Sequence, residues 1–171
     1  KVDSKRLRTK NFLDTDLRNI GQAVKELSSF PIFINDNGES TILDIQSQCR
    51  KIQSEHGLGM IIIDYLQLMN PHNKSISREQ QISEMSRGLK TLAKELECPI
   101  IALSQLNRGV EARPNKRPTT ADLRESGAIE QDADIVMFVY RDEVYHPDTK
   151  EPGVAEVIVG KNRGGETGTA K

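Results

Sequence analysis

Asp64, Gln105, Lys161 and Arg163 are residues whose types and spacing could do chemistry on a bound ligand. Asp64 closes the apolar run Met60–Ile63. A carboxylate at the exit of a buried strand lies where open parallel sheets bind ligands, or else caps the next turn. Gln105 follows a second apolar run, Ile100–Leu103, which puts a neutral amide at a strand tip, as a ligand contact or as a cap of the strand end. Lys161 and Arg163 are two apart on an extended stretch leading into Gly164 and Gly165, so both side chains point to one side. On spacing alone they read as solvated charges on an edge strand rather than as ligand contacts. Arg108, Arg113, Lys116 and Arg117 crowd a segment with Pro114 and Pro118 and no apolar periodicity. That segment is predicted to be a mobile basic loop, its charges either lining a site or simply solvated.

The elements that must position these residues follow from patterning. Three consecutive isoleucines, Ile61 to Ile63, read as a strand buried on both faces, as in parallel sheets covered by helices. Upstream, Leu17, Ile20, Val24 and Leu27 recur at helical spacing after the candidate caps Asp14 and Thr15, and Pro31 stops that helix. Ile32 to Ile34 is predicted as a short strand entering the turn Asn35–Gly38. A second helix, capped by Ser40 or Thr41, carries Ile42, Ile45, Cys49 and Ile52 on one face and ends at Gly57 and Gly59. A long helix ending near Glu97 shows the stripe Ile82, Met85, Leu89, Leu92 and Leu96. With the strand after Pro99, residues 60–105 form a βαβ crossover. Short helical turns over Asp122–Asp132 precede a strand at Ile135–Tyr140. A polar excursion then leads to an alternating strand from Val154 toward Lys161.

The chain has 171 residues, enough for one domain with a sizeable core, and 24 Lys plus Arg balance 25 Asp plus Glu. Net charge therefore argues neither for nor against a polyanionic partner; only local clustering can. No apolar run approaches the roughly 18 residues of a membrane helix, and the first ten residues lack the apolar core of a signal peptide. The expectation is a soluble, cytoplasmic protein without membrane association. Cys49 and Cys98 have neither CxxC spacing nor a neighbouring His pair, and read as reduced packing residues.

The order of elements fits an α/β sandwich of the RecA type. The blocks IIIDYLQLM, SQLNRGVEARPNKRPTTADLRESGAIEQDADIVMFVYRDE and KNRGGETG resemble the consecutive motifs of bacterial replicative DNA helicases of the DnaB family. The resemblance implies ATP and Mg2+ as cofactors. It makes Asp64 the Walker B aspartate that holds the magnesium bridging the phosphates, and Gln105 the sensor of the γ-phosphate or attacking water. Arg163 becomes an arginine finger that reaches, with Lys161, into the neighbouring subunit's site. Arg124, Glu125, Ser126 and Gly127 match the central-channel loop that holds single-stranded DNA. Arg108, Arg113, Lys116 and Arg117 are possible additions to that lining. The implied assembly is a homohexamer, with primase and a helicase loader as partners, moving 5′ to 3′.

No G-x-x-x-x-G-K-S/T occurs in the sequence. By the resemblance, the phosphate-cradling loop, its lysine and the catalytic glutamate lie upstream of Lys1. Residues 1–171 then correspond to the downstream part of the motor domain, a partial RecA-like sandwich. Two other readings stay open: a recombinase or clock-type ATPase, which should lack the ADLRESG block, and a non-catalytic interaction module. Asp64 and Gln105 offer only one side of a nucleotide site. The isolated 171-residue chain is therefore expected to hydrolyse no ATP; robust turnover that Asp64→Asn abolishes would contradict this.

Overall fold

The computed structural model describes residues 2–123 and 127–171, and the chain forms two compact units, Lys1–Asn37 and Gly38–Lys171. The first unit holds α1 (Ser4–Thr9) and α2 (Asp14–Leu27). Asp3 caps α1 by accepting from the Lys5 N–H at 2.7 Å. The cap of α2 differs from expectation: Leu13 occupies the cap position, and Asp14 and Thr15 lie in the first turn. The buried Asp16 carboxylate reaches back to the Leu13 N–H at 3.0 Å and pairs with Arg6 at 3.1 Å, joining the two helices. Ile32–Ile34 is not a strand, and all three side chains are exposed. A strand needs an edge to pair with, and the described residues of this unit form helices and loop.

In the second unit, complete capping boxes start both long helices. Thr41 and Asp44 bond reciprocally at the start of α3 (Ile42–His56), as do Ser77 and Gln80 at the start of α4 (Arg78–Glu95). Between the helices runs β1 (Ile61–Ile63), which pairs in parallel with β2 (Ile100–Ala102) in the register Ile61 to Ile100 and Ile63 to Ala102. The chain from β1 through α4 to β2 is the predicted crossover. Ile82, Met85, Leu89, Leu92 and Leu96 are all buried, packed with Ile61, Ile63, Leu66 and Cys49. Both cysteines are free and buried in this core, and burial raises their thiol pKa values.

One expectation is corrected. The isoleucine run is buried on one face only: Ile61 and Ile63 point into the core, whereas Ile62 is 64% exposed. The helices α3 and α4 cover a single face of the pair, and the other face shows Ile62, Ile101 and Leu103.

Beyond β2 come α5 (Gly109–Ala112) and α6 (Gly127–Asp132), then an antiparallel sheet of β3 (Ile135–Tyr140), β4 (Glu156–Asn162) and β5 (Gly168–Ala170). The strand β5 has no apolar pattern that would mark it in the sequence. Val136 and Phe138 pack inward with Leu123, while Ile135, Met137 and Val139 face outward. The β3–β4 register slips between Val136 and Met137, leaving Gly160 as the extra residue. A Cβ on Gly160 would stand 2.7 Å from the Phe138 ring and 3.2 Å from Thr120, so this position admits no side chain without displacing the ring.

Leu92, fully buried between α4 and the β1–β2 pair, tests the crossover. Leu92→Ala is expected to destabilise the fold by about 2–5 kcal/mol, measured as a lower urea midpoint at unchanged slope.

Candidate functional site

Parallel pairing carries past the named strands and brings two predicted site residues to one edge. The Leu103 N–H donates to Ile63 O, and the Leu66 N–H donates to Leu103 O, both at 2.9 Å. Asp64 leaves β1 inside this ladder, and Gln105 follows two residues after Leu103. Gln67, which patterning does not single out, ties the exits together. Its side-chain NH2 donates to Ser104 Oγ at 2.9 Å, and its side-chain oxygen accepts from the Gln105 N–H at 3.2 Å. Arg78, at the start of α4, donates to the Gln67 carbonyl at 2.7 Å. The backbone of Gln105 is therefore held while its side chain stays exposed.

Asp64 is exposed and joins no hydrogen bond or ion pair with the described residues. Among those residues, no group of three His, Cys, Asp or Glu side chains is placed to cage a metal. Magnesium does not need such a cage. It dehydrates reluctantly and is usually held by one or two carboxylates, with phosphates and water completing its shell. A lone, unpartnered Asp64 at a strand's carboxyl end fits that demand.

Lys161 and Arg163 do come to one side, as their spacing predicts, but onto α6 of their own chain. The Lys161 ammonium donates to the carbonyls of Glu130 and Gln131, the latter at 3.2 Å. The Arg163 guanidinium donates to Gln131 O and pairs with Asp134, both at 3.1 Å. The Arg163 N–H also donates to Asp134 O at 2.8 Å. Lys90 of α4 takes the other carboxylate oxygen of Asp134. The hydrogen bond from Lys90, with Arg163 and Lys161 nearby, holds the Asp134 carboxyl below its ordinary pKa. Among the described residues, neither Lys161 nor Arg163 forms a hydrogen bond or ion pair with Asp64 or Gln105.

The basic segment is not a mobile loop, and the reason is a set of partners that sequence reasoning misses. Arg117 pairs through both guanidinium nitrogens with Glu156 of β4, whose side chain is only 4% exposed. Arg117 also lies 4.6 Å from the Tyr140 ring centre; Tyr140 stacks on Tyr145 at 5.7 Å; and Lys116 sits 4.9 Å over Tyr145. The Tyr145 hydroxyl donates to Glu111 of α5 at 3.0 Å. Arg113 pairs with the buried Asp122 at 2.9 Å and donates to Arg117 O at 3.0 Å. Arg113 and Arg117 are thus occupied in holding the segment's shape. Among the described residues Arg108 has no ion-pair partner and is exposed. A signal for this arrangement is present in the sequence: Glu156 is the acidic residue that heads the apolar run Val157–Val159, 39 residues from Arg117.

Arg124, Glu125 and Ser126 lie outside the described residues, and Gly127 is the first residue of α6. A Cβ on Gly127 would meet nothing within 4 Å, so its main chain is open to an approaching group.

Residues 1–171 match the family described as DnaB-like helicase C terminal domain. The replicative DNA helicase DnaB of Geobacillus stearothermophilus is 47% identical over 171 residues, covering 99% of this chain and 38% of the relative. The replicative DNA helicase DnaC of Bacillus subtilis is 47% identical over 169 residues, covering 98% of this chain and 37% of that protein. The chain thus spans well under half the length of the curated relatives it matches. Among solved structures, a DnaB-like replicative helicase, described together with its interactions with primase, superimposes with a TM-score of 0.92 at 40% identity, over 98% of this chain and 41% of that one. The architecture is therefore part of a RecA-like α/β sandwich.

The Arg117–Glu156 pair can be tested by loop exposure. Arg117 holds the Glu156 carboxyl below its ordinary pKa. The pair therefore contributes stability above the unfolded glutamate range and loses it as pH falls through the depressed value. Glu156→Gln at neutral pH is expected to hasten tryptic cleavage after Lys116 several-fold, with the far-UV spectrum unchanged; equal cleavage rates would show that the pair does not hold the loop.

Proposed function

Because the chain belongs to the DnaB-like helicase C terminal domain family, we propose that it is the downstream part of the motor domain of a hexameric, ATP-dependent replicative DNA helicase. The observation that carries this reading is the separation of two half-sites. Asp64 and Gln105 share one strand edge, whereas Lys161 and Arg163 lie against α6 of their own chain. A nucleotide site built at a subunit interface needs such halves, because the edge of one subunit is completed by cations of the next. The family match over the whole chain sets aside the recombinase and clock-type readings.

In this reading Asp64 orients magnesium, which supplies charge neutralisation at the phosphates. Gln105, its backbone fixed by Gln67, presents its amide to the γ-phosphate or the attacking water. Arg163 stabilises charge on the transferring phosphoryl group of the neighbour's ATP, with Lys161 beside it. Arg124 and Gly127 follow the single-stranded DNA backbone, where main-chain amides and a few cations suffice because base identity is not read, and Glu125, which as an anion cannot hold phosphate, orients Arg124 or a neighbouring subunit's loop. Arg108 is available to extend that track, while Arg113 serves it by holding the loop through Asp122. The parent is proposed to be a cytoplasmic homohexamer that works with primase and a loader; no helix among the described residues is long and apolar enough to cross a membrane.

Rings mixed from Arg163→Ala and Asp64→Asn full-length subunits test the assignment. Fingers acting in trans are worth roughly 10³ to 10⁵ in rate, so each pure ring should be nearly inactive. Mixed rings regain intact interfaces and should recover both ATP turnover and strand displacement. Mixed rings, confirmed by mass, that stay as inactive as their parents would reject action in trans.

A further inference from the structure

Among the described residues, the side-chain polar contacts of Lys161 and Arg163 are made at one place, the end of α6 and Asp134 just beyond it. The last carbonyls of a helix lack partners inside it, and its C-terminus favours cations. Here Glu130 and Gln131 supply those carbonyls, and Lys161 and Arg163 supply the cations. Asp134 completes the arrangement with its carboxylate on Arg163 and Lys90 and its carbonyl on the Arg163 N–H. We propose that Asp134 and the C-terminal carbonyls of α6 form a dock that holds Lys161 and Arg163 in the resting subunit, and that nucleotide phosphates and this dock compete for the two cations. This rests on the reading of Arg163 as the finger.

Three features of the dock support competition over a fixed structural role. First, its ion pair is exposed on both sides, with 57% of the Arg163 side chain and 55% of the Asp134 side chain accessible. Such a pair is screened by water and biases an equilibrium by at most roughly fivefold. A phosphate group, doubly charged and able to take both hydrogens of a guanidinium edge, outcompetes it. Second, the guanidinium nitrogens bound to Gln131 and Asp134 must give up those contacts, at least in part, to engage a phosphate in that way. Third, the dock is connected at both ends. The helix α6 begins at Gly127, inside the ADLRESG block, so uncapping its last turn alters the element that follows the DNA-binding segment in the chain. The helix α4 carries Arg78, which steadies Gln67 beside Gln105, and Lys90, which holds Asp134. These two residues are about 18 Å apart along one rigid helix. A change at the strand edge of a subunit is thereby linked to the cations that the same subunit presents to its neighbour. Linkage is reciprocal: if DNA shifts the cations off the dock, phosphate engagement shifts DNA affinity by the same factor.

Asp134 is thus a positioning residue that acts through Arg163 and Lys161, and the full-length protein tests it. Asp134→Asn removes the charge that retains Arg163. ATP turnover without DNA is expected to rise roughly two- to fivefold, the range an exposed ion pair can hold back, while the DNA-saturated rate changes little. The stimulation by DNA therefore falls, and Asp134→Glu restores it. Lys90→Met leaves the Asp134 charge to Arg163 and Lys161 and is expected to move the ratio the opposite way. A structural role predicts losses in both rates for both substitutions, so parallel losses, or an unchanged ratio, would overturn the dock. If Asp134→Asn rings do not assemble, the Lys90→Met ratio decides alone. Arg163→Ala in the same assay separates the two claims: retained turnover there would reject the finger itself. Collapsed turnover with an unaltered ratio in Asp134→Asn would reject only the dock.

Discussion

The parallel pairing of β1 with β2 is the constraint on which the rest of the molecule depends. Parallel neighbours cannot be joined by a tight turn, so the chain must cross over, and α4 is that crossing. Its buried stripe covers one face of the strand pair and fixes the register that sets Ile63 opposite Ala102. From that register follows the placement of Asp64 and of the Ser104–Gln105 backbone at one edge, with Gln67 bridging them. The same helix reaches the other functional region through Lys90. One packing solution thus serves the carboxylate, the amide and the cations.

Charge is handled differently in the two halves of the site. Around Asp64 the structure leaves a carboxylate without a partner among the described residues, as suits a group that meets a cation brought with the phosphates. Around Arg117, Arg113 and Arg163 it does the reverse, and each of these guanidinium groups finds an acceptor within its own chain. For Arg113 and Arg117 those acceptors are the buried carboxylates Asp122 and Glu156, and the result is shape. For Arg163 they are exposed groups, and the result is a holding that can be exchanged. Burial of the partner, more than the presence of an ion pair, divides architectural cations from available ones.

Much of this is readable from residue patterns because burial imposes periodicity. The α4 stripe, the crossover, the capping residue Thr41, and the common side taken by Lys161 and Arg163 all follow from spacing. The misses have physical reasons. The isoleucine run reads as doubly buried because patterning reports apolarity and not the number of layers laid over a strand. Ile32–Ile34 reads as a strand because β-branched residues favour extended backbone, but pairing depends on an edge that local sequence does not supply. The basic segment reads as mobile because its acceptors, Asp122, Glu156 and the two tyrosine rings, come from elements further along the chain. Gln67 gives no signal at all, since its task is defined only by where Ser104 and Gln105 return.

The stacked tyrosines also make the protein optically legible. The sequence has no tryptophan and three tyrosines, and two of these, Tyr140 and Tyr145, lie face to face, each with a cation against its ring. Rings held rigidly in an asymmetric field dominate near-ultraviolet circular dichroism. The aromatic band therefore reports on the basic segment more than on the core, without any attached dye. Loosening of that segment, by denaturant or by a substitution at Glu156, can be followed in the unlabelled protein as a change in tyrosine ellipticity.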